Sequence, residues 1–159
     1  MPLNSGAISD WKNKTISLIL DNKDIIECLE LDEIEQEDIV YTRIFPYNHV
    51  PQTAEETKVY ITVAVSVPQI TFNKIWAYPR LLIRVISHKG KMKLAKAGVS
   101  ATRIDYISEL IIKMLIGRPD FGYGKLQLST NEEDMYNNVY HYRELVFTSE
   151  ELVETNCED

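Results

Sequence analysis

Histidine is the side chain best suited to hold a metal ion or to move a proton near neutral pH. The chain has three, His49, His88 and His141. They fall on separate segments, and none has a second ligand at metal-site spacing. That pattern predicts no metal centre and no cofactor. Cys28 and Cys157 are the only cysteines. Two thiols do not make a disulfide framework. Neither has a neighbouring histidine in a nucleophile pattern, so both are read as reduced thiols of a cytosolic product. Phosphate cradles need glycines between a strand and a helix. Gly122-Tyr123-Gly124 is too short and follows a helix, so it reads as a turn. There is no Walker pattern, no G-x-G-x-x-G and no G-x-S-x-G elbow. The carboxylates lie mostly in solvated acidic runs, without a marked acid–base pair. These residues predict a protein that is not an enzyme and works by binding other protein subunits.

Two charged stretches and one aromatic stretch are the candidates for such binding. Lys89, Lys91, Lys93, Lys96 and Arg103 follow His88 as a basic run. Glu27, Glu30, Asp32, Glu33, Glu35, Glu37 and Asp38 form an acidic one. The basic run lacks interleaved aromatics for base stacking. The net charge of −7 further disfavours general phosphate binding. Opposite patches on one chain suit a head-to-tail contact between copies, because complementarity sets register and partner. Phe45 and Tyr47 in the proline-flanked segment 45–51, with Phe72, Trp76 and Tyr78, are the second candidate surface. The expected subunit interface therefore comprises Lys89, Lys91, Lys93, Lys96, Arg103, Glu33, Glu35, Glu37, Asp38, Phe45, Tyr47, Phe72 and Trp76.

The elements that must position these residues follow from periodicity. Ile8, Trp11, Thr15, Leu18 and Ile19 predict a helix over 8–21, capped by Ser9 or Asp10. A short turn over 24–29 follows Asn22. Pro46 and Pro51 make 43–51 extended or looped. Val59, Ile61, Val63, Val65 and Val67 alternate with Tyr60, Thr62, Ala64 and Ser66, predicting a strand over 58–67 that Pro68 ends. Residues 71–76 read as a turn. A second strand over 78–88 carries Leu81, Ile83 and Val85 on one face, and the default pairing is antiparallel. Residues 89–99 read as a basic loop. Ile104, Ile107, Leu110, Ile111, Met114 and Leu115 then form a helical stripe, capped by Ser100 or Thr102, with Gly117 as the left-handed residue after it. Residues 125–128 predict a short strand, 131–138 a polar loop, and 139–148 a last strand. That strand has Leu145 and Phe147 on one face and Tyr140, Tyr142 and Val146 on the other.

The expected fold class is α+β: a mostly antiparallel sheet with an N-terminal helix and a long helix packed on one face. The chain of 159 residues suits one domain, 1–148, followed by an acidic tail, 149–159. A hydrophobic fraction of 45% is that of a globular chain. No apolar run approaches the ~18 residues of a membrane span. The first residues lack a charged region followed by an apolar one, which predicts no secretion signal.

This order resembles that of tail terminator and neck proteins of tailed bacteriophages. An N-terminal helix leads to an extended segment, a strand pair, a helix, and a final strand ending Tyr142-Arg143-Glu144-Leu145-Val146-Phe147. The resemblance spans about 8–148 and rests on element order and size, without a specific motif. It implies a virion protein, a tail terminator whose copies form a ring, usually a hexamer. The ring would cap the tail tube, join it to the head connector, and pass DNA through its lumen without specific binding. It implies localisation in the virion after assembly in the host cytoplasm, with no catalytic or ligand residues. Another head–tail joining or tail completion protein shares these expectations. A cytoplasmic binding module would instead stay monomeric or dimeric, and a small enzyme would need a pocket of perturbed ionisable groups.

Overall fold

The computed structural model describes residues 5–52, 56–70, 76–122, 124–149 and 153–154. The chain runs α1 (Ser5–Asp21), α2 (Lys23–Cys28), β1 (Ile44–Phe45), β2 (Val59–Ile70), β3 (Trp76–His88), a 3-10 turn (Lys89–Lys91), α3 (Arg103–Leu115), β4 (Leu126–Met135), β5 (Tyr140–Ser149) and β6 (Val153–Glu154). The fold is α+β. The strands lie in the order β1-β2-β3-β5-β4, with β6 pairing the start of β3. β1 joins β2 in parallel and the other pairs are antiparallel, so the sheet is mixed.

Period-two alternation in β2, β3 and β5 sends one set of side chains to each face. Val59, Ile61, Val63, Leu81, Ile83, Val85, Leu145 and Phe147 all point into the main core. All three helices pack into that core. α1 contributes Trp11, Ile16 and Ile19, α2 contributes Ile25, and α3 contributes Ile104, Ile107, Ile111 and Leu115. Trp11 meets buried Phe121 edge-on, with ring centroids 5.6 Å apart. The opposite face carries a second cluster, Phe45, Tyr60, Ile86 and Tyr140, extended by Tyr136, Val139 and Tyr142.

α3 is capped by Thr102, whose hydroxyl accepts from the Asp105 amide at 3.3 Å. The capping box is not reciprocal: the Asp105 carboxylate instead accepts from Arg143 on β5 at 2.8 and 3.0 Å. Past the helix, Gly117 takes φ +79. Its amide donates to Leu126 O, which turns the chain into β4.

Several elements differ from the sequence expectation. α1 starts at Ser5, before either expected cap, and at 17 residues it is longer than the 13-residue α3. The stripe residues Leu110 and Met114 are only partly buried. β2 continues past Pro68 to Ile70. The register with β3 shifts between Ser66 and Gln69, and such an irregularity accommodates a residue that cannot donate to the ladder. The expected polar loop over 131–138 is largely strand, because β4 runs to Met135. An edge strand needs only its backbone ladder to β5, so Asn131, Glu132, Glu133 and Asp134 sit in it while exposed to water. Most of the expected turn at 71–76, including Phe72, lies outside the described residues.

Candidate subunit-contact surface

The acidic and basic runs and segment 45–49 lie at the end of the sheet where β2 begins and β3 ends, whereas Trp76 opens β3 at the other end and Phe72 lies outside the described residues. The chain reaches that end through a turn fixed by Asp32 and Glu35. The Asp32 carboxylate accepts from the Glu35 amide at 2.8 Å, and the Glu35 carboxylate reaches back to the Asp32 amide at 3.4 Å. This reciprocal pattern is the chemistry of a capping box. It holds Glu35 buried beneath the turn while Glu33, Ile34, Glu37 and Asp38 stand outside.

Arg43 reaches into the same place and is 2% exposed. Its Nη1 donates to both Glu35 oxygens at 2.9 and 3.0 Å, its Nε to Val59 O at 2.8 Å, and its Nη2 to Leu29 O. The guanidinium also lies 5.8 Å from the centre of the Tyr60 ring. Lys58 adds a second cation 3.5 Å from Glu35. Burial raises the pKa of the Tyr60 phenol, and its hydrogen bond to Glu56 raises it further. His49 stacks on Phe45 at 4.0 Å, and burial lowers the pKa of its imidazole.

Arg103 does comparable work beside it. Its Nη1 donates to Cys28 O at 2.8 Å, its Nε to Lys91 O at 2.6 Å, and its Nη2 to Glu30 at 3.1 Å and Lys93 O at 3.3 Å. Arg43 and Arg103 thus satisfy the last carbonyls of α2, the negative end of its dipole. Lys91 pairs with Glu30 at 2.6 Å, and Lys96 with Glu27 at 3.4 Å and Asp24 at 3.6 Å. The hydrogen bond from Lys91 holds the Glu30 carboxyl below its ordinary pKa.

The structure therefore divides the expected residues. Glu35, Arg103 and Phe45 are buried within the protomer instead of standing on its surface, and Glu35 and Arg103 find their partners inside the chain. Lys96 is drawn onto α2, and Lys91 onto Glu30 just past its end. Lys89, Lys93, Glu33, Glu37 and Asp38 are exposed. Tyr47 is exposed and packs against Phe45 and Tyr41, with centroids 5.6 and 6.2 Å away. Trp76 opens β3, and its side chain lies outside the described residues.

Four residues escaped the sequence reading. Arg43 is the hub of the buried network; its signal was a lone charge leading the apolar pair Ile44-Phe45. Ile34, Tyr41 and Val50 are large apolar side chains exposed by 83%, 66% and 50%. Ile34 was visible as the aliphatic residue within the stretch 32–38, where every other residue is polar or acidic. Tyr41 holds φ +70, a conformation rare for an aromatic residue. Among the described residues, no group of three or more His, Cys, Asp or Glu is placed to hold a metal ion. Nor is any helix among them long and apolar enough to cross a membrane.

No curated protein matches the sequence. Among solved structures, a chain from the virion of a native gene transfer agent particle resembles this one at 16% identity and a TM-score of 0.46. That match covers 81% of this chain and 90% of the other. The YomW family model matches residues 16–149, and the chain belongs to the YomW family.

Proposed function

We propose that this chain is a structural protein of a phage-type virion, a tail terminator that works by binding and not by catalysis. In this reading its copies close into a hexameric ring that caps the tail tube and joins it to the head connector. DNA passes through the lumen without specific contacts, since acidic walls repel phosphate. The element order that resembles tail terminator and neck proteins is retained in the structure, from the N-terminal helix to β5.

The observation that carries the reading is the surface of segment 33–50. Ile34, Tyr41, Tyr47 and Val50 are exposed there, beside the exposed carboxylates of Glu33, Glu37 and Asp38. Large apolar side chains held in water by a rigid polar network are the mark of a protein-binding surface with a polar rim. The Arg43 network fixes the backbone beneath them, so little ordering entropy remains to be lost on assembly.

Light scattering on the purified chain, followed by negative-stain imaging, tests the reading. A closed ring with a central hole at a fixed copy number is the expected result. A protein that stays at its 18.4 kDa monomer mass in the presence of tail tube and connector contradicts it.

A further inference from the structure

We infer that the contact between neighbouring copies seats Ile34 and Tyr41 of one protomer in the groove beside the start of α3 on the next, with Glu33, Glu37 and Asp38 facing Lys89 and Lys93. This rests on the ring reading and assigns its contact to residues. The groove has a volume of about 480 Å³ and is lined by Met92, Leu94, Val99 and Ala101, with Lys93 at its edge. The groove is wide open to solvent, and its volume is larger than that of an aromatic side chain. The four apolar lining residues are all partly exposed to water.

Charge complementarity identifies the occupant as a second copy. The in-chain ion pairs engage Lys91, Lys96 and Arg103 on the basic side and Glu27, Glu30 and Glu35 on the acidic side. Lys89 and Lys93 remain exposed with no ion pair among the described residues, as do Glu33, Glu37 and Asp38. Two copies at net −7 repel at long range, so local attraction of this kind favours their association. The acidic knob and the basic groove are different patches. In a ring each contact uses the knob of one copy and the groove of the next, leaving one of each free so that the assembly grows head to tail until it closes. A two-fold dimer, read as twice 18.4 kDa, would overturn this arrangement.

Tyr41 supplies a further sign that this knob serves a contact. A non-glycine residue at φ +70 is strained, and such strain concentrates at functional sites. Glycine adopts that conformation freely. The Tyr41→Gly variant should therefore fold at least as stably as the natural chain while losing the aromatic knob.

The test compares three variants by light scattering, with circular dichroism to verify folding. One carries Lys89→Glu and Lys93→Glu, one carries Glu33→Lys, Glu37→Lys and Asp38→Lys, and one carries Tyr41→Gly. All these sites are exposed, so the fold should hold. Each charge variant alone should fall to 18.4 kDa, an equimolar mixture of the two should reassemble with alternating subunits, and Tyr41→Gly should weaken assembly about tenfold or more. If the natural chain forms rings and both charge variants do too, this contact is wrong and the ring reading stands. If the natural chain stays monomeric at every concentration, with tail tube and connector present as well, both fall together.

Discussion

α3 is held in place by Ile104, Ile107, Ile111 and Leu115, all fully buried against the sheet. The segment between α2 and β2 is held by Arg43, equally buried, through hydrogen bonds to Glu35, Leu29 and Val59. The first region is stabilised by apolar area removed from water, which tolerates small shifts because it has no direction. The second depends on donors and acceptors meeting at 2.8–3.0 Å, so it specifies one backbone path more sharply. Its failure is also steeper, because a buried charge without its partner is penalised more than a cavity of similar size. The exposed knob at Ile34 and Tyr41 belongs to the second region, where a fixed backbone presents apolar groups to water.

Removing Arg43 should separate the two regions most clearly. Arg43→Met leaves the buried Glu35 carboxylate with only the more exposed Lys58, 3.5 Å away, and strips Leu29 O and Val59 O of their donor, so a loss of about 3 kcal/mol is expected in urea unfolding. The double variant Arg43→Met with Glu35→Leu should lose less than the single one, since no buried carboxylate is then left with Lys58 as its one cation. A larger loss in the double variant would mean that the pair itself is strongly stabilising. In the apolar region, Ile107→Ala should lose about 2–5 kcal/mol through the cavity it leaves. Leu110→Ala, on the partly buried edge of the stripe, should lose clearly less. Equal losses would mean that the helix sits rotated about its axis.

Smaller effects test the joints between the regions. Thr102→Ala removes the hydroxyl that receives the Asp105 amide, and a loss of roughly 1 kcal/mol is expected in thermal unfolding. The pair of Glu30 with Lys91 gives the weakest signal. The folded pKa of Glu30 lies below its unfolded value, so its contribution is present above the ordinary carboxylate range. That contribution is lost as pH falls through the folded pKa. A Lys91→Met variant should therefore show a shallower loss of stability on acidification than the natural chain, measured as urea midpoints from neutral pH to about pH 3. An unchanged slope would mean the pair is too exposed to matter.

Much of this fold was legible before any coordinate. The alternation from Val59 to Val65, the matching set Leu81, Ile83 and Val85, and the core residues of the α3 stripe all sit where periodicity puts them. Thr102 was one of the two caps expected, and Gly117 takes the left-handed conformation expected of it. The misses share a cause. Residues 131–135 read as a polar loop because an edge strand carries no apolar alternation of its own, and its identity as a strand comes from β5. Pro68 read as a terminus because the register shift that accommodates it involves β3. The basic and acidic runs were legible as opposite patches, but not which members meet inside the protomer.

The sequence by itself determined the α+β class, the two faces of the central strands and the apolar face of α3, because those signals repeat every two or three to four residues and need no distant partner. Only the tertiary structure decided which charges are interior and which are left for other molecules. Arg103 meets Cys28 O across 75 residues and Arg143 meets Asp105 across 38. Such a long-range polar contact has no period, and its two halves become neighbours only after the sheet and helices have brought them together.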